Sequence, residues 1–239
     1  MEAANIAEVF ISCKKEVHYS RELILPQPAL VRVISGEVRI VAAAGSYRFF
    51  SSDTVLLPHN QLGRMSKLPL DGQPCIAISV LFSHEKLKQY YTGKQISALP
   101  QHIAGPIVFA EHPLLKSLFN SLLPYFELAN ALPGDIAAFK VEEAICVLRV
   151  IDPKVDQLFG HFEEPGKLDL VEFMEQNYWF NLSLEKFGYL TGRSLTTFKK
   201  DFSKAFGSTP GKWLTRKRLN RLNTGWLIFI NGTTKTPHF

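Results

Sequence analysis

The chain has 239 residues, 46% of them hydrophobic and 21% charged, with a formal net charge of +5. That balance belongs to a folded chain of two modest domains or one large one, and it excludes a disordered segment. No apolar run reaches the ~18 residues that cross a bilayer, and the opening MEAANIAEVF has no basic region followed by an apolar one. A cytoplasmic protein with no membrane partner is therefore expected. Cys13, Cys75 and Cys146 are odd in number, far apart and without a CxxC pair, the pattern of incidental thiols rather than of a disulfide or a zinc site.

Residues 30–82 read as β structure. LVRVIS and EVRIVAA flank Gly36 at a tight turn, YRFF and TVLLP flank the turn SSD, and CIAISVLF closes the set. Val31/Val33 and Val38/Ile40 alternate with Arg32 and Arg39, the period of strands with one face buried. Ser52-Asp53 and Asp71-Gly72 mark turns. Several short strands at this spacing predict a small antiparallel barrel or sandwich. Arg32, Arg39, Arg48 and Arg64 could face an acid or water, and water is the expectation.

Residues 111–161 change period. Leu115, Leu118, Phe119, Leu122 and Phe126 fall on one helical stripe, and Ala137, Val141, Ala144, Ile145 and Leu148 on another. Pro133-Gly134 separates the two helices, and Asp135 is placed to cap the second. Such a pair packs as a core or against a second copy of the chain.

HFEEPGK (161–167) reads as a linker. Beyond it lies a series of short helices, the first carrying Leu170, Phe173, Met174 and Tyr178. The second starts at the cap Ser183 and buries Leu184, Phe187 and Leu190. After Thr191-Gly192-Arg193 a new cap, Ser194, begins a third helix, with Leu195, Phe198 and Phe202 on its inner face. Gly207 ends it, and Pro210 opens a further helix at its first position. A helix, a short turn containing glycine and a second helix with an inward apolar face make a helix-turn-helix. Gly188 costs ~1 kcal/mol against alanine inside a helix, which makes sense where the second helix crosses close by.

Charge singles out the same region. From Pro165 to Leu222 there are eleven Lys/Arg against five Asp/Glu, whereas the remainder holds sixteen against seventeen. Between Lys186 and Arg221 ten basic residues face a single acid, Asp201. Such a block inside a folded segment suits a polyanion, nucleic acid first, or is a solvated face. The outward positions Arg193, Thr196, Thr197, Lys199 and Lys200 are of types that reach phosphates and base edges.

The stretch LSLEKFGYLTGRSLTTFKKDFSKAFGSTPGKWLTRKRL resembles the first helix-turn-helix of the AraC/XylS family of bacterial transcription regulators. Leu182, Leu184, Glu185, Gly192, Ser194, Phe198, Phe202, Phe206, Gly207, Pro210, Trp213, Arg218 and Leu219 match its pattern in one register over about residues 167–222. Gly188, Lys200 and Asn223 depart from it. The resemblance implies an α+β chain. A cupin-like antiparallel β-barrel that senses an effector (1–110) is expected, then a helical linker and dimerisation segment (111–164) and an all-α helix-turn-helix domain (165–239). It implies a sequence-specific regulator of double-stranded DNA, with a small-molecule or protein effector and a homodimer formed through 111–161. Base-reading positions carried over are Thr196, Lys199 and Lys200, with Arg193, Ser194 and Thr197 near the DNA backbone.

AraC-like regulators carry a second helix-turn-helix. Only seventeen residues follow Leu222, and NTGWLIFINGTTKTPHF shows two glycines, a proline and no helical period. The expectation is that the second reading head is missing. DNA binding is then weak and salt-sensitive, or else lost, which would leave a regulatory protein that acts by dimerising. Catalysis is not expected: the chain has no HxH pair of the kind cupin enzymes use for metal. His59, His84 and His102 lie in separate segments, and GSTPGK lacks phosphate-loop spacing. No metal and no cofactor are called for.

Overall fold

Val31 and Val33 point to one face of their strand and Leu30 and Arg32 to the other, yet all four are buried, at 6% exposure or less. A strand covered on both sides is written as a nearly continuous apolar run, which explains LVRVIS, TVLL and CIAISVLF together. The structure, a computed structural model, describes residues 8–14, 19–94, 105–129, 132–160 and 167–231. It divides into two units, Met1–Glu163 and Glu164–Phe239.

Among the described residues the first unit holds nine strands: β1 Val9–Lys14, β2 Tyr19–Ile24, β3 Ala29–Ser35, β4 Glu37–Ala42, β5 Gly45–Phe49, β6 Thr54–Leu57, β7 Leu62–Leu68, β8 Cys75–Leu81 and β9 Ile107–Phe109. They form two antiparallel sheets, ordered β1-β8-β3-β6-β9 and β2-β7-β4-β5. Val31, Val33, Val38, Ile40, Phe49, Val55 and Ala77 fill the space between the sheets. β1, β2 and β9 lie outside the predicted 30–82 span. β9 is three residues long, and Ser20, Arg21 and Glu22 stand consecutively in β2, so neither segment carries a period. Gly36 joins β3 to β4 with φ +77°, and Asp71 and Gly72 (φ +51° and +74°) close β7 on β8 through the paired Leu70 and Gln73.

Arg32 does not face water. Leu30 and Arg32 share the face of β3 that helices cover, and the Arg32 guanidinium is buried and donates to Thr54 Oγ1 at 2.9 Å. Arg39, Arg48 and Arg64 stand half-exposed but paired: the first two grip the buried Glu37, and Arg64 pairs with Glu22.

The covering helices are α1 His84–Tyr91, α2 Pro113–Asn120, α3 Leu123–Ala129, α4 Gly134–Ile151 and α5 Val155–Phe159. Both predicted stripes are buried, each residue at 7% exposure or less, against Leu30, Leu56, Ile78 and Val80 of the five-stranded sheet. The first stripe runs over two helices rather than one, because Pro124 lacks an N–H and its ring clashes with a carbonyl four residues back. Asp135 does not cap α4. Pro133 holds that position without a side-chain bond, and Asp135 sits in the first turn, where its charge complements the helix dipole. Arg149 of α4 grips Asp156 of α5 at 2.7 and 3.1 Å, and Tyr91 of α1 donates to the same carboxylate, tying three helices together.

The second unit contains α6 Leu170–Asn177, α7 Leu184–Leu190, α8 Leu195–Phe206 and α9 Pro210–Asn231. The expectation that 223–231 has no helical form is corrected, since α9 continues through it. Extending a helix fixes one residue per hydrogen bond gained, far less costly than nucleating one, so Gly225 does not stop it. Most of the expected linker (161–166) and residues 232–239 lie outside the described residues. Among the described residues no helix is long and apolar enough to cross a membrane.

Candidate nucleic-acid interface

Local chemistry sets each end of the α7–α8 pair. Ser183 Oγ accepts from Lys186 N at the start of α7, and Ser194 Oγ accepts from Thr197 N at 3.2 Å at the start of α8. Each satisfies a backbone donor that the first turn leaves without a partner. The buried Thr191 hydroxyl turns back to donate to Phe187 O and Gly188 O. Gly192 then reverses the chain at φ +65°, a left-handed geometry that suits glycine. A Cβ on Gly188 would stand 3.0 Å from Arg193 O and 3.4 Å from Phe198 Cβ, so the helices do cross close at that residue. At its far end α8 stops on Gly207 at φ +60°.

Phe198 and Phe202 of α8 are fully buried, and Phe202 stacks on Phe206 at 4.2 Å and meets Trp213 edge-on at 5.5 Å. This ridge turns the opposite side of α8 outward, where Thr196, Thr197, Lys199 and Lys200 are exposed. Trp213, at 3% exposure, brings α9 onto the same core. Arg218 fixes α9 further by donating to Tyr178 O at 2.8 Å and Phe180 O at 2.6 Å, and Lys217 pairs with Glu175.

The six residues singled out by sequence are treated differently by the fold. Thr196, Lys199 and Lys200 stand clear on α8. Ser194 is spent as a cap, and its hydroxyl lies 2.9 Å from that of Thr197. Arg193 points inward: its side chain is 8% exposed, pairs with Asp201 at 3.0 Å and donates to Leu168 O and Thr191 O. The one acid of the basic block is thus occupied by Arg193, with Lys167 at 3.5 Å, and its carboxyl is held below the usual range chiefly by the Arg193 bond. Among the described residues, Lys186, Lys199, Lys200, Lys204, Lys212 and Arg216 are exposed with no ion pair and no side-chain hydrogen bond. Lys204, Lys212 and Arg216 were not singled out by sequence. The four-residue spacing of Lys212 and Arg216, opposite Trp213 on the same helix, was the available signal.

The sequence profile of the ExsA N-terminal regulatory domain matches residues 28–154, more than half of the chain. The chain belongs to this family of AraC-type transcription regulators. The virulence regulon transcriptional activator VirF of Yersinia enterocolitica is 26% identical over 132 residues, 53% of this chain and 48% of that protein. The HTH-type transcriptional regulator ExsA of Pseudomonas aeruginosa is 27% identical over 128 residues, 52% and 45%. The match therefore spans about half the length of the curated relatives. Fatty-acid-bound ToxT of Vibrio cholerae aligns over 99% of this chain and 85% of its own, at 14% identity and a TM-score of 0.45. The matched relatives are regulators of transcription, not enzymes.

Proposed function

We propose that the chain is a cytoplasmic regulator that binds double-stranded DNA with sequence preference, α8 entering a major groove, while the N-terminal unit receives an effector. One observation carries this reading: Thr196, Lys199 and Lys200 project from a buried phenylalanine ridge, and no acid among the described residues pairs with the two lysines. Lysine reaches guanine acceptors, and threonine reaches polar edges or a thymine methyl. Phosphate contacts supply most of the affinity, so binding falls steeply as salt rises. The described residues hold one such head, and a homodimer through the outer faces of 111–161 presents two.

The effector is a protein rather than a small molecule in this reading. The recess lined by Leu25, Ile40, Leu57, Leu62, Met65 and Pro106 with Gln61 has about 30 Å³ free. Small-molecule pockets occupy roughly 300–1,000 Å³. A partner docking on the surface needs no such space.

The test is gel retardation of the full chain on a pool of random duplexes at graded salt, with Lys199→Ala and Lys200→Ala alongside. Each variant is expected to bind more weakly and to relax the base preference by roughly tenfold. Unaltered binding and preference in both would overturn the reading and favour a protein that regulates by dimerising alone.

A further inference from the structure

α9 shows two faces of opposite character. Trp213, Leu214, Lys217 and Arg218 are turned to the domain by the packing and carbonyl bonds described above. At 100° per residue the opposite side carries Lys212, Thr215, Arg216 and Leu219, all exposed. Lys212 and Arg216 are four apart, exposed, and engaged by no carboxylate among the described residues. Two adjacent cations on one helix repel, and like-charge pairs at this spacing destabilise it. Of the neighbouring α9 cations, Lys217 is paired with Glu175 and Arg218 is held by two backbone carbonyls, whereas Lys212 and Arg216 have neither kind of partner among the described residues.

We propose that this face of α9 is a second DNA contact, in which Lys212 and Arg216 take phosphates of one strand beside the groove that α8 enters. The inference rests on the DNA-binding reading above. Three residues, starting with the left-handed Gly207, separate α8 from α9, so α9 starts at the C-terminal end of α8. The occupant is a polyanion by charge complementarity, and a duplex backbone because that is the polyanion the α8 reading brings to this unit. A contact of this kind supplies affinity and register without reading bases.

The experiment compares the full chain with the double variant Lys212→Ala/Arg216→Ala on a short mixed-sequence duplex, by fluorescence anisotropy across a salt series. Each phosphate contact contributes about 0.9 to the slope of log affinity against log salt. The variant is expected to lose about 1.8 of that slope, to weaken equally on all sequences, and to keep the base preference. Arg216→Lys, which keeps the charge, is expected to keep the slope, and circular dichroism establishes that each variant is folded. An unchanged slope in a folded double variant overturns the proposal. Lys199→Ala/Lys200→Ala, run in parallel, separates the two failures: if it alone alters binding, the α8 reading stands and the α9 contact falls. If neither pair alters binding, both fall.

Discussion

Arg193 Nε lies 3.0 Å from Asp201 Oδ2, joining the residue before the α8 cap to the only acid of the basic block. The same guanidinium donates to Leu168 O and Thr191 O. Arg193 therefore acts as a brace between the start of the domain, the turn and α8. Arg193→Ala removes the donor from two carbonyls that water can partly reach, at a cost of about 1 kcal/mol. A lower urea midpoint of the second unit is expected, with no change in the salt slope of DNA binding once folding is corrected for. A slope reduced by about one with an unchanged midpoint would make Arg193 a phosphate contact instead. The Asp201 carboxyl is depressed by this bond, so the stability it contributes is present above the ordinary carboxylate range and is lost as the pH falls through its lowered folded value.

Glu37 is 2% exposed at the start of β4 and accepts from two arginines on neighbouring strand positions, Arg39 Nε at 2.5 Å and Arg48 Nε at 2.6 Å. Arg39 and Arg48 face each other across β4 and β5, and this carboxylate is what permits the like-charged pair. The Arg39 bond first, then the Arg48 bond, lowers its pKa from 4.5 to about 2. A depressed carboxyl stabilises the fold fully above its unfolded value and progressively less below it. Barrel stability should therefore decline as pH falls from about 4.5 toward 2. Glu37→Gln is expected to flatten that decline and to cost about 1–2 kcal/mol at neutral pH, a modest figure because both arginines stand half in water. Acid unfolding followed by near-ultraviolet dichroism decides it, and an identical acid limb in the variant refutes it.

The helix-turn-helix was legible because its signals are local. Ser183, Ser194, Gly192, Gly207 and Pro210 are punctuation that acts on the backbone within four residues, and Phe198 and Phe202 fix which side of α8 is inward. The two stripes of 111–161 were legible for the same reason, since period alone defines a buried face. Arg193 was not, because its partners Leu168 and Asp201 come from elements whose meeting is a tertiary fact. Arg32 failed similarly: alternation gives the two faces of a strand, not whether a helical layer covers the second. β9 has too few residues to show any period, and the apolar stripe of 115–126 keeps its period through the break at Pro124.

Gly36 sits at φ +77°, and a Cβ there would stand 2.6 Å from Cys75 Cα and 2.8 Å from Leu68 O. Both are backbone atoms of the strands that Gly36 must pass between, so neither can rotate away. Gly36→Ala combines a disfavoured backbone conformation with a clash that only separating β7 and β8 from the turn relieves. A loss of about 3 kcal/mol or more is expected, seen as insoluble protein or a sharply lowered thermal midpoint. Gly72, also left-handed at φ +74° but with nothing within 4 Å, is the control: Gly72→Ala is expected to cost only about 1 kcal/mol. Equal losses at the two sites would refute the crowding argument.

The outer side of α4 carries Phe139 and Val150, each 72% exposed, with the exposed Cys146 between them. The spacing of seven and then four residues places all three on one stripe, opposite the buried Val141, Ala144, Ile145 and Leu148. Large apolar groups in a row outside a complete core mark a surface for association, and the proposed homodimer through 111–161 uses it. Phe139→Ser/Val150→Ser is expected to shift the chain from dimer to monomer in sedimentation velocity, with dissociation strengthened by roughly a hundredfold. Its monomer stability should change by no more than about 0.5 kcal/mol, because neither side chain contributes to the core. Loss of the second head should also weaken DNA binding more at a two-site duplex than at a one-site duplex. A variant that sediments as the parent does would move the interface off this face of α4.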